Sequence, residues 1–321
     1  MSNYSSLINE FIATLPIPKH PANLYEPIRY TLAQGGKRLR PELCLIACQT
    51  LGGNPKQALY PAVALEMLHN FTLIHDDIMD KSDLRRGQKT VYKKWGTSTA
   101  ILAGDTLLGM SYDLLQRYPS IGAHKFFNLL TTTFIQICEG QQMDIDFERR
   151  KVVSEEEYLE MIRLKTSVLL AACLKAGAIA AHASPEVQDV FYEFGIRIGL
   201  AFQIQDDLLD VYGQTEKLGK SVGDDIADNK KTYLSVKAME LLQGEELANL
   251  KRYFTKQSFN REEKFEGVKK LYASCHIKET ATELVNTYYE QAFRLLDSLS
   301  LKAEQTLPLH EFIKRLMYRE F

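Results

Sequence analysis

The sequence predicts an all-α protein, and three observations carry that prediction. Apolar residues recur at the i, i+3, i+4 spacing of a helix face along nearly the whole chain. Bounded runs with the period-two alternation of a half-buried strand are almost absent. Helix start and stop signals fall between the periodic stretches. With 321 residues and 45% hydrophobic content the chain can bury one large core. The length allows one or two domains and no linker settles the choice; residues 1–321 are read as a single all-helical domain.

The elements follow in order. Pro41 sits where a helix can begin without losing a hydrogen bond, and that helix is predicted to stop at Gly52 and Gly53. A longer helix then runs to about Asp80. Residues 82–90, SDLRRGQKT, read as a charged loop, and further helices are predicted over about 97–118 and 123–147. Ser154 with Glu157 has the spacing of a capping box and opens a helix carrying Lys165 and Thr166. Ser184 and Pro185 open another, which ends near Asp210. Residues 213–229 combine glycine and charge and read as a loop before three or four smaller C-terminal helices.

Composition excludes several classes of protein. Lys plus Arg total 39 against 41 for Asp plus Glu, and a net charge of -2 supplies no global attraction to nucleic acid or acidic membrane. Any basic site must be local. Cys44, Cys48, Cys138, Cys173 and Cys275 are an odd number without CxxC spacing, lie in apolar helix-like runs, and read as reduced core thiols. The N-terminal stretch lacks the pattern of a secretory signal. The most apolar run, Val168 to Ala181, is 14 residues long and contains Lys175, too short and too charged to span a bilayer. A cytoplasmic protein without a transmembrane segment is therefore expected.

Chemistry is concentrated in two echoing segments, HDDIMD at 75–80 and QDDLLD at 205–210, each near the end of a long apolar helix. Positions i and i+4 share a helix face, so Asp76 with Asp80, and Asp206 with Asp210, aim paired carboxylates in one direction. Such pairs repel one another and oppose the helix macrodipole unless a cation intervenes. Hard oxygen donors of this kind suit magnesium, which takes one or two carboxylates and completes its shell with water and substrate phosphate. Basic residues accompany the acids: Lys37, Arg38 and Arg40 in GGKRLRP, and Arg85 with Arg86 a few residues after the first motif. Lys165, Thr166, Lys220 and Lys230 add donors further along. His69 and His75 flank the first motif, and either can donate to phosphate or cap a packed face. Gln203 lies close to Asp206, and Trp95 reads as packing.

Taken together, GGKRLRP, LEMLHNFTLIHDDIMD, LRRG, the Lys165–Thr166 pair, FQIQDDLLD and GKSVGDDIADNKKT resemble the trans-isoprenyl diphosphate synthases, relatives of farnesyl and geranylgeranyl diphosphate synthase. The resemblance implies a bundle of long helices around a central cavity, normally a homodimer, with the two acidic motifs facing each other across it. By position it implies that Asp76, Asp80 and Asp206 bind magnesium, with Asp77, Asp207 and Asp210 supporting them. It implies that Lys37, Arg40, His69 and Arg86 hold the diphosphate of isopentenyl diphosphate. Arg85, Lys165, Thr166, Gln203, Lys220 and Lys230 would hold the allylic diphosphate, and Asp76, Asp80, Arg85, Lys165, Asp206 and Lys220 would promote ionisation. Two departures stand out: Asn229 occupies a position where many members have glycine, and the C-terminal YREF is only weakly basic. A terpene cyclase and a non-catalytic subunit of a heteromeric synthase stay open as alternatives.

Helix geometry locates the tail of such a substrate. At 1.5 Å per residue, Thr72 is one turn back from Asp76, Phe71 about 7.5 Å away and Leu68 about 12 Å away. An extended isoprene unit covers roughly 4.5 to 5 Å by comparison with the peptide repeat. Phe71 thus stands where a growing chain turns or stops, and a product of fifteen or twenty carbons is expected.

Overall fold

The computed structural model describes residues 4–119, 122–213, 222–255 and 260–317. Among them the structure is helical apart from one short hairpin. The first helices are α1 (Tyr4–Ala13), α2 (Ala22–Ala33), α3 (Leu39–Thr50) and α4 (Leu59–Met79). After the hairpin come α5 (Val91–Trp95), α6 (Thr97–Gln116), α7 (Ala123–Arg149), α8 (Glu155–Ile162), α9 (Val168–Ala180) and α10 (Pro185–Tyr212). The remainder are α11 (Asp224–Ala227), α12 (Tyr233–Leu241), α13 (Gly244–Thr255), α14 (Arg261–Ser274), α15 (Ile277–Asp297) and α16 (Ala303–Met317).

Several expectations meet local physics that the periodicity did not carry. Pro41 is the third residue of α3, not the first, which is equally harmless because no N–H of the first turn has an intrahelical partner. The predicted loop at 82–90 contains strands β1 (Leu84–Arg85) and β2 (Gln88–Lys89), paired antiparallel. Both turn residues, Arg86 at φ 53° and Gly87 at φ 74°, are left-handed, as the tight primed hairpin turn requires. The capping box is present: Ser154 accepts from the Glu157 N–H, and the Glu157 carboxylate accepts from the Ser154 N–H. The C-terminal region is richer than expected, with α15 alone 21 residues long. The thiols are free, but Cys138 is exposed on α7 and so is not a core residue. Of the predicted loop at 213–229, residues 214–221 lie outside the described residues, and Asp224–Ala227 form the short helix α11.

The chain divides into two compact units, the first comprising Met1–Phe134, Ala172–Tyr192 and Leu301–Leu309 and the second the remaining residues. In the first unit α4 is buried nearly all round, through Ala62, Val63, Leu65, Met67, Leu68, Phe71 and Ile74 among others, as a core helix must be. Helix α6 can approach it because residue 104 is glycine: a Cβ there would stand 2.4 Å from His75 Nε2. Residue 177 serves α3 in the same way, since a Cβ would lie 2.3 Å from the Cys44 carbonyl oxygen. In the second unit Tyr158, Tyr233, Tyr272 and Tyr289 are fully buried. The Tyr289 hydroxyl donates to Gln205 Oε1 at 3.2 Å, and Gln205 Nε2 donates to the Met317 carbonyl at 2.6 Å, so α10, α15 and α16 are tied together there.

Arg38 is the main polar anchor of the first unit. Its backbone is left-handed at φ 47° and its side chain is buried. The guanidinium donates to Glu66 Oε1 at 2.7 Å, Asn9 Oδ1 at 3.1 Å and the Leu32 carbonyl at 2.6 Å. With both side chains under 5% exposed, removing one charge strands the other in the interior. Glu66→Gln is expected to cost about 3 kcal/mol of stability, measured by urea unfolding; a loss of a few tenths would show that the pair is not the anchor.

Candidate active site

One group of candidate site residues is built on α3, α4 and the hairpin, all within the first unit. Asp76 is half-buried on the last turns of α4 and Asp80 is exposed at its C-cap. Asp77, a helical step of about 100° away from that face, is buried and accepts Arg85 Nε at 2.9 Å and Nη2 at 2.6 Å. The resemblance implies a supporting part for Asp77 at the metal. The structure turns it inward, where it locks the hairpin to α4. Burial, the largest influence, raises its pKa against the lowering effect of Arg85.

The loop before α3 brings its basic residues to the same place. Arg86 donates to the Gly35 carbonyl, and a Cβ on Gly36 would lie 2.8 Å from the Arg86 guanidinium carbon. Gly36, at φ 137°, is therefore what lets Arg86 lie flat on the loop. Arg40 Nη1 is 3.1 Å from His69 Nε2. Lys37 is exposed on the loop. Of the residues expected to hold isopentenyl diphosphate, Arg40, His69, Arg86 and the Lys37 loop are thus grouped. His75 behaves differently, lying 3.3 Å from the Ile101 carbonyl in the α4–α6 packing. Trp95 packs edge-on to Tyr30.

His69 is held well below the usual imidazole range, first by removal from water and then by Arg40, Arg86, Arg85 and Arg38. It is neutral here, so Nε2 can accept from Arg40 and leave Nδ1–H as a donor. Below the ordinary value of about 6.5 the unfolded chain takes up a proton that the folded one refuses, so stability falls as pH falls. His69→Gln is therefore expected to lose less stability than the parent between about pH 7.5 and about pH 5.5. Equal losses in paired urea titrations would reject this.

The residues expected to line a tail path lie further back along α4. Phe71 is buried, edge-on to Phe134 of α7 at 5.6 Å and tilted against His75 at 4.5 Å. Thr72 is half-buried, and Leu68 is wholly buried one turn further on.

A separate group of candidate residues is built on the parts of α7, α8 and α10 that lie in the second unit. Asp206 and Asp210 are half-buried. Asp207, like Asp77, is turned inward: it accepts the Tyr158 hydroxyl at 2.5 Å, the Tyr233 N–H at 2.9 Å and Gln203 Nε2 at 3.3 Å. Burial raises it to about 7, in spite of these donors. Asp210, raised to about 6 by burial and then by Asp225, accepts the Asp225 N–H at 3.2 Å. Gln203 Oε1 accepts the Thr166 hydroxyl at 3.0 Å, and Lys165 donates to Asp144 at 2.5 Å. Lys230 is 3.5 Å from Asp225. Asn229 is left-handed at φ 58°, a conformation glycine takes freely and asparagine tolerates. That accounts for its departure from the common glycine, and its Oδ1 also accepts from buried Lys264 at 2.8 Å. Lys220 and YREF lie outside the described residues. Asp144 and Tyr158 escaped the sequence reading; Asp144 lies on the long helix α7, but nothing local marks which residue it meets.

Among the described residues no three carboxylates, imidazoles or thiolates converge on a protein-only metal cage. Each motif instead leaves two carboxylates on one face, with the third committed to the interior. That donor set fits magnesium, whose shell is completed by water and phosphate oxygens. Also among the described residues, no helix is long and apolar enough to cross a membrane.

Comparison with known proteins gives a consistent result. A family model described as Polyprenyl synthetase matches residues 21–273. The chain is 41% identical over 311 residues to a geranylgeranyl diphosphate synthase of Methanosarcina mazei, covering 96% of this chain and 94% of that protein. A crystal structure of a geranylgeranyl pyrophosphate synthase aligns with a TM-score of 0.92 at 40% identity, covering 99% of this chain and 98% of that one. The geranylgeranyl pyrophosphate synthetase of Pyrococcus horikoshii aligns with a TM-score of 0.92 at 34% identity, covering 99% and 97%.

Proposed function

Given that this chain belongs to the polyprenyl synthetase family, the trans-isoprenyl diphosphate synthases, we propose that it joins an allylic diphosphate to isopentenyl diphosphate and releases geranylgeranyl diphosphate. The chain is a trans-prenyltransferase with isoprenoid diphosphate substrates. The observation that carries the detailed reading is the grouping of Arg40, His69 and Arg86 on the unit that also carries Asp76 and Asp80. A diphosphate needs such donors, and an acidic helix end needs a cation.

In this reading the Lys37 loop, Arg40, His69 and Arg86 bind the diphosphate of isopentenyl diphosphate. Arg85, Lys165, Thr166, Gln203, Lys220 and Lys230 bind and orient the allylic diphosphate. Asp76, Asp80, Asp206 and Asp210 would hold magnesium, which would supply positive charge against that of the leaving diphosphate. Asp77 and Asp207 keep the two motifs in place from the interior. The allylic carbon–oxygen bond breaks with its electron pair passing to diphosphate, and the cationic side chains stabilise the charge that builds there. The double bond of isopentenyl diphosphate then forms the new carbon–carbon bond. The resulting cation loses a proton to the released diphosphate. Apolar residues such as Leu68 and Phe71 keep water from the cation.

In the same reading the chain acts as a single catalytic domain, in the cytoplasm and as a homodimer. The test is to incubate the purified protein with magnesium, labelled isopentenyl diphosphate and, separately, dimethylallyl, geranyl and farnesyl diphosphates, and to size the dephosphorylated products. Label in a twenty-carbon alcohol is expected from each starter. Starter consumed without label would favour a cyclase, and no consumption a non-catalytic subunit.

A further inference from the structure

The segment that carries Lys165 and Thr166 is not an α-helix. Arg163–Ser167 forms a π-turn between α8 and α9, closed by a hydrogen bond from the Val168 N–H to the Arg163 carbonyl five residues back. Single π-turns inside helices are uncommon and persist where their surroundings hold them.

Two helices of the same unit hold this one. Helix α7 meets the turn at Gly140, where a Cβ would stand 2.4 Å from the Lys165 nitrogen and 2.8 Å from the Leu164 carbonyl carbon. Helix α10 meets it at Gly199, where a Cβ would stand 2.5 Å from Ser167 Cα and 2.7 Å from its Oγ. The clashing atoms include backbone, which cannot swing aside as a side-chain tip can. Neither glycine has a left-handed φ, so close approach is what each supplies. Each also costs its helix about 1 kcal/mol relative to alanine.

Four residues beyond each glycine, on the same helix face, stands the polar partner of the turn. Asp144 follows Gly140 on α7 and accepts from Lys165 Nζ. Gln203 follows Gly199 on α10 and accepts from the Thr166 hydroxyl. Both flanking helices thus make the same pair of contacts, a bare backbone against the turn and a polar side chain on its functional group.

We propose that Gly140 and Gly199 are positioning residues that clamp the π-turn, and that Asp144 is a third that aims Lys165, together setting where Lys165 and Thr166 meet the allylic diphosphate. The proposal rests on the reading of Lys165 and Thr166 as ligands of that diphosphate.

The test measures dissociation constants by calorimetry, with magnesium, for the non-ionising thiolo analogue of geranyl diphosphate and for isopentenyl diphosphate. The variants are Gly140→Ala, Gly199→Ala, Asp144→Asn and, as reference, Lys165→Met. A partly unfolded sample lowers the stoichiometry and leaves the dissociation constant intact. Each variant is expected to weaken the allylic analogue by about tenfold or more while isopentenyl diphosphate stays within about twofold. Unchanged analogue binding in the glycine variants, with Lys165→Met impaired, would overturn the proposal. Equal weakening of both ligands would also overturn it, since a general loss of packing does that. Should both glycine variants fail to fold, Asp144→Asn decides, because that side chain lies near the surface at 16% exposure. Unimpaired Lys165→Met would instead overturn the underlying assignment of Lys165.

Discussion

Asp76→Ala is expected to lower turnover by roughly a thousandfold or more, each tenfold being about 1.4 kcal/mol of barrier. The reason lies in the division of labour within the motif. Asp77 is committed to Arg85 and the interior, so it cannot take over the outward face. Asp80 alone is one exposed carboxylate at a helix C-terminus, where the macrodipole already disfavours negative charge and a cation is held weakly. Asp76 itself is half-buried. Rates are to be measured across a magnesium titration at saturating substrates. A variant that keeps near-parental turnover would remove Asp76 from the metal site.

Phe71→Ala is expected to extend the main product by at least one isoprene unit. The ring lies about 7.5 Å along α4 from Asp76, packed edge-on to Phe134 and against His75. Its removal opens space at the depth that the proposed reading gives to a growing tail. Gly104 offers no side chain to refill that space. The same cavity lowers stability by about 3 to 5 kcal/mol, the usual cost of deleting a buried aromatic ring. Product sizing and melting therefore separate two roles. A longer product with a lower melting point is the expected pattern, whereas a lower melting point with an unchanged product would make Phe71 a packing residue only.

The helices and the chemistry of the acidic and basic segments were legible from local spacing. An i, i+4 pair shares a face whatever surrounds it, so Asp76 with Asp80 and Asp206 with Asp210 were recognisable as twin sites. Ser154 with Glu157 capped its helix as its spacing demanded. Proximity between segments was not legible. Apolar periodicity says which face of a helix seeks cover, but not which helix covers it or what stands opposite a polar residue on that face.

Sequence by itself thus determined that the protein is helical and that it carries two acidic motifs accompanied by basic segments. Tertiary structure alone decided that the middle carboxylates, Asp77 and Asp207, face inward to Arg85 and Tyr158. It also decided that Arg38 is an anchor for Glu66 while Arg40 meets His69, and that Lys165 and Thr166 sit on a π-turn between two glycines. The physical reason is the same in each case. Hydrogen-bond partners and close backbone approaches join residues far apart in the chain, and their identity is fixed by packing, which no local pattern records.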